Sequence, residues 1–209
     1  PKTLSNLNKL NAGTHTVTIT SASTSNYNAA SATYTLTVSK ANNPIVVLGK
    51  TGLSNTGNAQ QLVTVSGAQG TVYYSTSTSL TSSNYTSGST TIPTKTNAGT
   101  YTVYWYAYSD SSYEASSGSV SVTIGKANGY VNLSATSGST TYGSTSSKTV
   151  TVSSSHGGSL SIKTSSSTIT TNISGTSVYL NNLNKLNTGS YTATITSAET
   201  GNYTAASAT

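Results

Sequence analysis

Apolar and hydroxyl residues alternate along many stretches of the chain with a period of two. In THTVTIT, for example, His15, Val17 and Ile19 fall on one side and the intervening threonines on the other. Side chains alternate across a β-strand, so this pattern predicts strands with one buried and one solvent-facing side. The same reasoning predicts strands at YTLTVS (34–39), PIVVL (44–48), QLVTV (61–65), TVYYS (71–75), SVSVTI (119–124), KTVTV (148–152), LSIKT (160–164) and TSVYL (176–180).

The composition favours a folded all-β protein. Ser and Thr make up roughly two residues in five, and such residues are poor in helix interiors, while no stretch shows a helical period with caps. Disordered chains are usually poor in β-branched and aromatic residues, whereas this one is rich in Val, Ile, Thr and Tyr. Its 33% hydrophobic content over 209 residues suits several modest cores better than a single large one.

Internal repeats define the organisation. The stretch LSNLNKLNAGTHTVTITSASTSNYNAASAT (4–33) returns as LNNLNKLNTGSYTATITSAETGNYTAASAT (180–209), and a more distant copy spans 94–128. The copies align Gly13 with Gly99 and Tyr27 with Tyr113. A period of about 86 to 90 residues fits one β-sandwich per repeat.

The motif Lys-Ala-Asn marks the repeat boundaries at 40–42 and 126–128, each time directly after an alternating strand. We therefore predict three domains. Residues 1–40 are the C-terminal part of a type A domain, 41–125 a complete type B domain, and 126–209 a type A domain without its last strand. The chain is expected to be a segment of a longer alternating array.

The segment Asn97-Ala98-Gly99-Thr100-Tyr101-Thr102-Val103 resembles the tyrosine corner of immunoglobulin-like domains, in which a Tyr hydroxyl binds nearby backbone. The motif recurs before Tyr191 and, with His15 in place of Tyr, in the first copy. The substitution removes the phenolic hydroxyl that makes the corner hydrogen bond.

More broadly, AGTHTVTIT followed by NYNAASATYTLTVSKA resembles the bacterial immunoglobulin-like repeats that occur in tandem in large surface proteins. The resemblance implies tandem immunoglobulin-like β-sandwich domains in an extended array, acting as a stalk or adhesin segment at the cell surface or outside the cell. Related domains occur on bacteriophage fibres, so a virion surface is an alternative location.

Few side chains could carry chemistry. General acid-base catalysis and hydrolytic triads need paired titratable groups, and the candidates here are scattered. His15 is expected to fill the corner position and His156, in SSSHGGS, a turn; two carboxylates near residue 112 are too few for a calcium site. We predict no catalytic, cofactor-binding or metal site. The residues considered are His15, His156, Asp110, Glu114 and Glu199.

Charge and hydropathy suggest few partners. The net charge of +6 comes from nine Lys spread singly along the chain, without Arg, whereas nucleic-acid binding usually uses clustered Lys and Arg. No run of 18 apolar residues is present to span a membrane. The predicted partners are neighbouring repeats of the same array, with surface glycans or other fibres as alternatives.

The segment YTVYWYAYS (101–109) holds the only Trp and four of the fifteen Tyr. Alternation places Val103 and Trp105 on the core face, together with Val120, Val122 and Ile124 of the following strand. Tyr104, Tyr106 and Tyr108 then face outward, joined by Tyr73 or Tyr74 of the neighbouring strand.

That outward stripe has three interpretations. It could stabilise the sheet through cross-strand pairs, pack against another protein, or stack on sugar rings. The other two copies carry Thr or Ala at the corresponding positions, so the fold is expected to tolerate loss of these tyrosines.

The leading hypothesis from sequence is therefore a non-catalytic structural repeat of a fibre, stalk or adhesin. The alternatives are a carbohydrate- or protein-binding module using the Tyr stripe, a bacteriophage fibre or decoration domain, and a filament subunit completed by strand exchange.

Overall fold

The computed structural model of the protein describes residues 3–209 and is all-β, which confirms the predicted class. The strands follow one another as β1 (Gly13–Ser21), β2 (Ala30–Val38), β3 (Val46–Gly49), β4 (Leu53–Ser54), β5 (Gln60–Gln61), β6 (Val63–Ser66), β7 (Val72–Ser75), β8 (Thr94–Lys95), β9 (Gly99–Ala107), β10 (Ser116–Gly125), β11 (Val131–Leu133), β12 (Ser147–Ser155), β13 (Leu160–Thr164), β14 (Thr170–Ser174), β15 (Ser177–Asn181), β16 (Ala193–Ser197) and β17 (Ala206–Ala208).

The helical elements of the described chain are three short 3-10 helices, Leu7–Lys9, Tyr85–Ser87 and Leu183–Lys185. Between residues 3 and 209, none of them has the length and apolar character needed to cross a membrane. The abundance of Ser, Thr, Asn and Gly explains the scarcity of helix, because their side chains compete for backbone hydrogen bonds or add backbone entropy.

The chain forms two compact units. Unit 1 contains the described residues up to Thr51 together with Gln60–Lys95 and Tyr101–Val122; unit 2 contains Gly52–Ala59, Thr96–Thr100 and Thr123–Thr209. In unit 1, β1 and β2 form an antiparallel hairpin whose register runs from Gly13 opposite Val38 to Ser21 opposite Ala30. This hairpin is a two-stranded sheet, and most of its side chains are exposed.

The remaining strands of unit 1 surround a small core. β3 pairs with β6, β5 with β8, and β7 with β9, all antiparallel. Short strands linked by turns can still build a core here because alternate residues on each strand turn inward. The buried apolar side chains are Leu62, Val63, Tyr74, Leu80, Val103, Tyr106, Ala107 and Val122.

The end of β10 pairs with β4 in parallel, with Ile124 opposite Leu53 and Gly125 opposite Ser54. The strand order in this sheet is β4-β10-β9-β7. Asn55 extends the pairing, because its N–H donates to the Gly125 carbonyl at 2.8 Å and its side-chain amide donates to the Thr96 carbonyl at 2.8 Å. Asn55 is buried and its side chain is satisfied.

Unit 2 is sandwich-like. One sheet has the order β11-β12-β15-β14 and the other β13-β16-β17. Val131, Val152 and Val178 of the first sheet pack against Ile195 of the second, and Val178 is fully buried. Half-buried apolar residues extend this core, namely Leu133, Val150, Leu160, Ile162, Leu180, Ala206 and Ala208.

The repeated sequence motifs have repeated backbone conformations. Asn6 and Asn182, each preceding a 3-10 helix of sequence LNK, are left-handed with φ of 61° and 64°. Gly13, Gly99 and Gly189 have φ of 143°, 154° and 158°, a region that residues with a Cβ rarely adopt. The glycine of the corner motif is thus required by geometry in all three copies.

Candidate contact surface and repeat seams

The two faces of β9 have different surroundings. On one face Val103 and Ala107 are fully buried, while Trp105 is half-buried beside Tyr74, its opposite neighbour on β7. Trp105 lies directly over Gly118, where an added Cβ would come within 2.8 Å of the indole ring. The wide ring is therefore accommodated by the absence of a side chain on β10. Of the predicted core residues on β10, Val122 and Ile124 are buried and Val120 is half-buried.

On the other face of β9, four tyrosines form a cluster. Tyr85 stands at the centre, with its ring 5.0 Å from Tyr73, 5.1 Å from Tyr106 and 5.0 Å from Tyr108, measured between centroids. The Tyr106 contact is stacked and the Tyr73 contact is edge-on. Both arrangements are favourable for aromatic pairs. We call Tyr73, Tyr85, Tyr106 and Tyr108 the tyrosine cluster.

The loop between β7 and β8 carries Tyr85 into this cluster. Its base is closed by two backbone hydrogen bonds between Tyr74 and Ser89, at 2.7 and 2.9 Å. Within the loop, the Asn84 side chain accepts from the Thr81 N–H at 2.6 Å and donates to the Ser79 carbonyl at 3.0 Å. Leu80 is buried, so the loop has an apolar anchor as well as its hydrogen bonds.

The cluster changes the interpretation of the predicted Tyr stripe. The expectation that Tyr106 faces solvent is wrong: it is 7% exposed, because Tyr85 stacks over it. Tyr73 and Tyr104 are half-buried, and Tyr108 is 46% exposed. Tyr74, named as an alternative member, is buried on the opposite face. The rings of the cluster therefore cover one another and hold a loop against the sheet.

Burial raises the pKa of Tyr85, and the neighbouring Tyr108, through its charge and a hydrogen bond, raises this pKa further. Burial also raises the pKa of Tyr74. Both phenols are thus held in the neutral form that an apolar environment favours.

The corner residues Tyr191 and His15 each contact the backbone four residues earlier in the chain. The Tyr191 hydroxyl donates to the Asn187 carbonyl at 3.2 Å. Contrary to the sequence-based concern, His15 makes the corresponding contact, with Nε2 2.8 Å from the Asn11 carbonyl. An imidazole N–H can replace the phenol because it also reaches back four residues. Tyr101 is half-buried, and the Lys95 Nζ lies 5.5 Å from its ring centroid.

A first seam, within unit 1, is the pairing of the residues after β2 with the loop between β9 and β10. Ala41, three residues after β2 ends, forms a parallel bridge with Tyr113. Its N–H donates to the Ser112 carbonyl and its carbonyl accepts from the Glu114 N–H, both at 2.8 Å. We call residues 39–41 with the loop around Tyr113 the first seam.

Asp110 shapes the loop of the first seam. Its carboxylate accepts from the backbone N–H groups of Ser112 and Tyr113, both at 2.7 Å. These hydrogen bonds, with a smaller contribution from the charge of Lys40, lower the pKa of Asp110. The carboxylate therefore acts as a turn cap.

A second seam repeats this arrangement in unit 2. Ala127, two residues after β10 ends, forms a parallel bridge with Tyr203 and exchanges hydrogen bonds with Asn202 and Thr204 at 2.8 and 2.9 Å. The Thr200 hydroxyl, in place of Asp110, accepts from the Tyr203 N–H at 3.2 Å. We call residues 126–127 with the loop around Tyr203 the second seam.

Asn202 adds a clamp to the second seam. Its side-chain carbonyl accepts from the Ala98 N–H at 2.9 Å, and its amide donates to the Asn97 side chain at 3.2 Å. Asn97 and Ala98 belong to the corner motif before β9. Lys126 and Glu199 form an exposed ion pair nearby, 3.3 Å apart, of a kind that contributes little stability.

His156 lies in the bend that follows β12 and is buried there. Its Nε2 lies 2.7 Å from the Ala198 carbonyl, and its Nδ1 lies 3.0 Å from both the N–H and the carbonyl oxygen of Tyr130. The ring also contacts Tyr130 and Tyr203, with centroids 6.0 and 5.7 Å away. It links the start of unit 2's first sheet to the loop of the second seam.

The candidate catalytic side chains do not converge. His156 is 3.4 Å from the Ser197 hydroxyl, but Ser197 is completely buried and is itself bonded to the Gly158 carbonyl. Across residues 3–209, no three His, Cys, Asp or Glu side chains come together in a group that could hold a metal. The structure instead brings together paired backbone segments at the two seams and aromatic rings in the tyrosine cluster.

Sequence reasoning missed Tyr85, Asn202 and the buried role of His156. Tyr85 lies in a polar loop with no alternation, and Asn202 is one Asn among many in the chain. For the burial of His156, the available signal in the sequence was the presence of glycines in the segments that pack around it. An added Cβ at Gly129 or Gly158 would collide with the Thr204 or Ala198 carbonyl, so close backbone packing is required there.

A scan of protein-family models, a search of curated proteins and a search of solved structures found no match to the chain.

Proposed function

We propose that the chain is a structural segment of an extracellular fibre, stalk or adhesin, built from tandem immunoglobulin-like sandwiches and without catalytic activity. In this proposal each repeat is a load-bearing spacer that projects another part of the protein from a cell or virion surface. The partners of each repeat are its neighbours in the array.

The observation that carries the proposal is the construction of the two seams. Ala41 and Ala127 are paired with the next loop within three residues of the preceding strand's end. A flexible linker would leave several residues without backbone partners. At each seam the chain leaves one strand and is paired again within three residues. Such a connection can extend very little, which suits an element that must transmit force.

Strand geometry in the repeat 41–125 also fits this role. β4, near its start, pairs in parallel with the end of β10. When the two ends of a repeat are pulled apart, parallel strands near those two ends slide past each other, so their hydrogen bonds are loaded together instead of one at a time. Asn55 adds two further hydrogen bonds at this point.

The surface composition supports close packing of neighbours. The chain has nine Lys and three acidic residues among 209, with many hydroxyl side chains. Few charges mean little long-range repulsion between adjacent repeats, and their interactions should depend weakly on salt.

Single-molecule stretching of the full chain tests the proposal. We expect cooperative unfolding peaks, and we expect Asn55→Ala to lower the force of one peak by removing its hydrogen bond to Thr96 beside the β4–β10 pair. Asn58→Ala, an exposed Asn in the same segment, serves as the matched control and should leave every peak unchanged. Extension without peaks at low force would contradict a load-bearing role.

A further inference from the structure

One edge of the first sheet in unit 2 is formed by β14. The sheet has the order β11-β12-β15-β14, and among residues 3–209 β14 pairs with β15 alone. All five residues of β14 are exposed, so neither face of the strand is covered. An edge strand presents unpaired backbone N–H and C=O groups, which serve as a template for a strand of another chain. β14 is therefore available for strand addition.

The turn after β14 shows which backbone groups point to the open edge. A turn of two residues, 175–176, joins β14 to β15, and Ser174 and Ser177 flank it as a pair. In such a hairpin the flanking pair is hydrogen-bonded, and bonded pairs then alternate along the ladder. The N–H and carbonyl groups of Thr171 and Ile173 consequently face away from β15. The open edge thus offers a donor and an acceptor at each of these two residues.

β14 lacks the features that usually protect an edge strand from pairing. Native edges are typically very short, or carry a charge, a Pro or a β-bulge. β11, the other edge of the same sheet, has three residues and a bulge after Asn132, and the edge strand β13 carries Lys163. In contrast, β14 has five residues in unbroken register, and no charged residue occurs between 165 and 184. An identical uncharged strand is not repelled here, whereas a charged partner finds no opposite charge.

The backbone of β14 is complementary to itself in the antiparallel direction. When Asn172 lies opposite Asn172 of a second copy, Thr171 of each copy lies opposite Ile173 of the other. The outward groups of these two residues then meet, and each such pair can exchange both of its hydrogen bonds. A register shifted by one residue would oppose outward groups to groups already bonded to β15. A shift by two would match only one of the outward residues within β14, so the register centred on Asn172 is preferred.

The side chains fit the same register. Ile173 lies opposite the fully buried Val178 and so on the core face of the sheet, yet it is 36% exposed. Thr171 of the second copy would cover it, as a cross-strand pair of β-branched residues. On the outer face, the Asn172 side-chain oxygen accepts from the Asn181 amide at 3.3 Å, while the Asn172 NH2 group has no partner within residues 3–209. The two Asn172 side chains would be neighbours across the symmetry axis and can bond to each other.

We propose that β14 pairs with β14 of a second copy of the chain, antiparallel and centred on Asn172, which joins two chains side by side. Both copies use the same surface, so the assembly closes as a symmetric dimer. A pairing of five-residue strands buries less than the roughly 1,000 Å² of a stable interface, so we expect a dissociation constant of about 0.1–1 mM. The inference concerns pairing between single chains and does not rest on the fibre function.

The first test measures amide hydrogen exchange by NMR on the full chain at about 10 μM and about 1 mM. We expect exchange at Thr171 to slow at least about twofold at the higher concentration, while Asn172, whose N–H already faces β15, stays unchanged. Ile173→Lys should abolish the slowing, because it places two like charges beside the axis. Thr149→Lys, an exposed change on the interior strand β12, is the matched control and should retain it. No slowing in the unmodified chain, or the same result for both variants, overturns the proposal.

The second test fixes the register by disulfide trapping, since the chain contains no Cys. In Asn172→Cys the two thiols lie directly opposite each other, within the reach of a disulfide. In the matched control Ser174→Cys, on the same exposed strand, they lie about 14 Å apart. Under mild oxidation of the full chain at about 1 mM, we expect at least tenfold more crosslinked dimer from Asn172→Cys. Equal crosslinking of the two variants would indicate random collision, and no crosslinking would exclude the contact; either result overturns the proposal.

Discussion

The two seams share a backbone arrangement and differ in side chains, most notably at the position of Asn202. In each, an Ala forms a parallel bridge with a Tyr, and a corner motif lies next to the same loop. In the second seam Asn202 closes the space by bonding to Asn97 and Ala98. In the first, Ser112 occupies the corresponding position, and a cavity of about 450 Å³ opens among Asn11, Ala12, Ala41, Ser112 and Tyr113.

The two seams therefore have the same backbone pairing but different numbers of side-chain hydrogen bonds to the corner motif. The Ser side chain is too short to reach the corner motif, whereas Asn carries both an acceptor and a donor. The bridges of Ala41 and Ala127 do not depend on that side chain, because they use backbone groups alone. We therefore expect the first seam to open more readily than the second.

The largest expected effect is that of removing the buried histidine that supports the second seam. His156→Ala leaves the Tyr130 N–H and the Ala198 carbonyl without a partner, which should cost roughly 2–4 kcal/mol of unfolding free energy. Urea unfolding followed by NMR signals of Ile195 should shift, while Trp105 fluorescence, which reports unit 1, should not. His15→Ala, which loses one exposed hydrogen bond, should cost less than about 1 kcal/mol and is the matched control.

The next effect is loss of the clamp. Asn202→Ser should give the second seam the character of the first, at a cost of about 1 kcal/mol. Hydrogen exchange at the Ala98 amide should become roughly fivefold faster, since local opening governs exchange. Unchanged exchange at Ala98 would show that the clamp does not stabilise the seam.

The reverse exchange should strengthen the first seam by a smaller amount. Ser112→Asn places an amide within reach of the Ala12 N–H, with a gain below about 1 kcal/mol because the longer side chain loses rotamer freedom. Slower exchange at Ala12 is the expected result. Ser111→Asn, an exposed neighbour, is the control and should leave that amide as it is; slowing by both variants would point to a nonspecific effect.

The smallest effect is a pH dependence confined to the first seam. The pKa of Asp110 is lowered in the folded chain, so its stabilising contribution is complete above its ordinary value of about 4 and is lost as the pH falls through the folded value. Thr200, its counterpart, does not titrate. Amide exchange at Ser112 and Tyr113 should accelerate below about pH 4 relative to Tyr203, and Asp110→Asn should remove most of this difference.

The sequence predicted the all-β class and most of the longer strands, because their alternation reflects burial directly. The predicted strands at 160–164 and 176–180 correspond to β13 and β15. It did not predict β14, whose five residues are all exposed and are held by pairing with β15. A strand without a buried side chain has no hydrophobic period to detect.

The aromatic surface was less predictable than the strands. Alternation correctly separates Val103 from Tyr104, yet it cannot show that Tyr106 is covered by Tyr85 from a loop about 20 residues earlier in the chain. Burial by a distant segment depends on tertiary packing, which local pattern does not encode.

The tightness of the seams also bears on how well the chain resists proteolysis. Proteases bind extended, unpaired backbone, and they cut most readily at exposed loop tips and linkers. At both seams the backbone of the central Ala is already occupied by its neighbour's loop. Cleavage at these places must then wait for local or global unfolding, so resistance to digestion is set by the rate at which the sheets open.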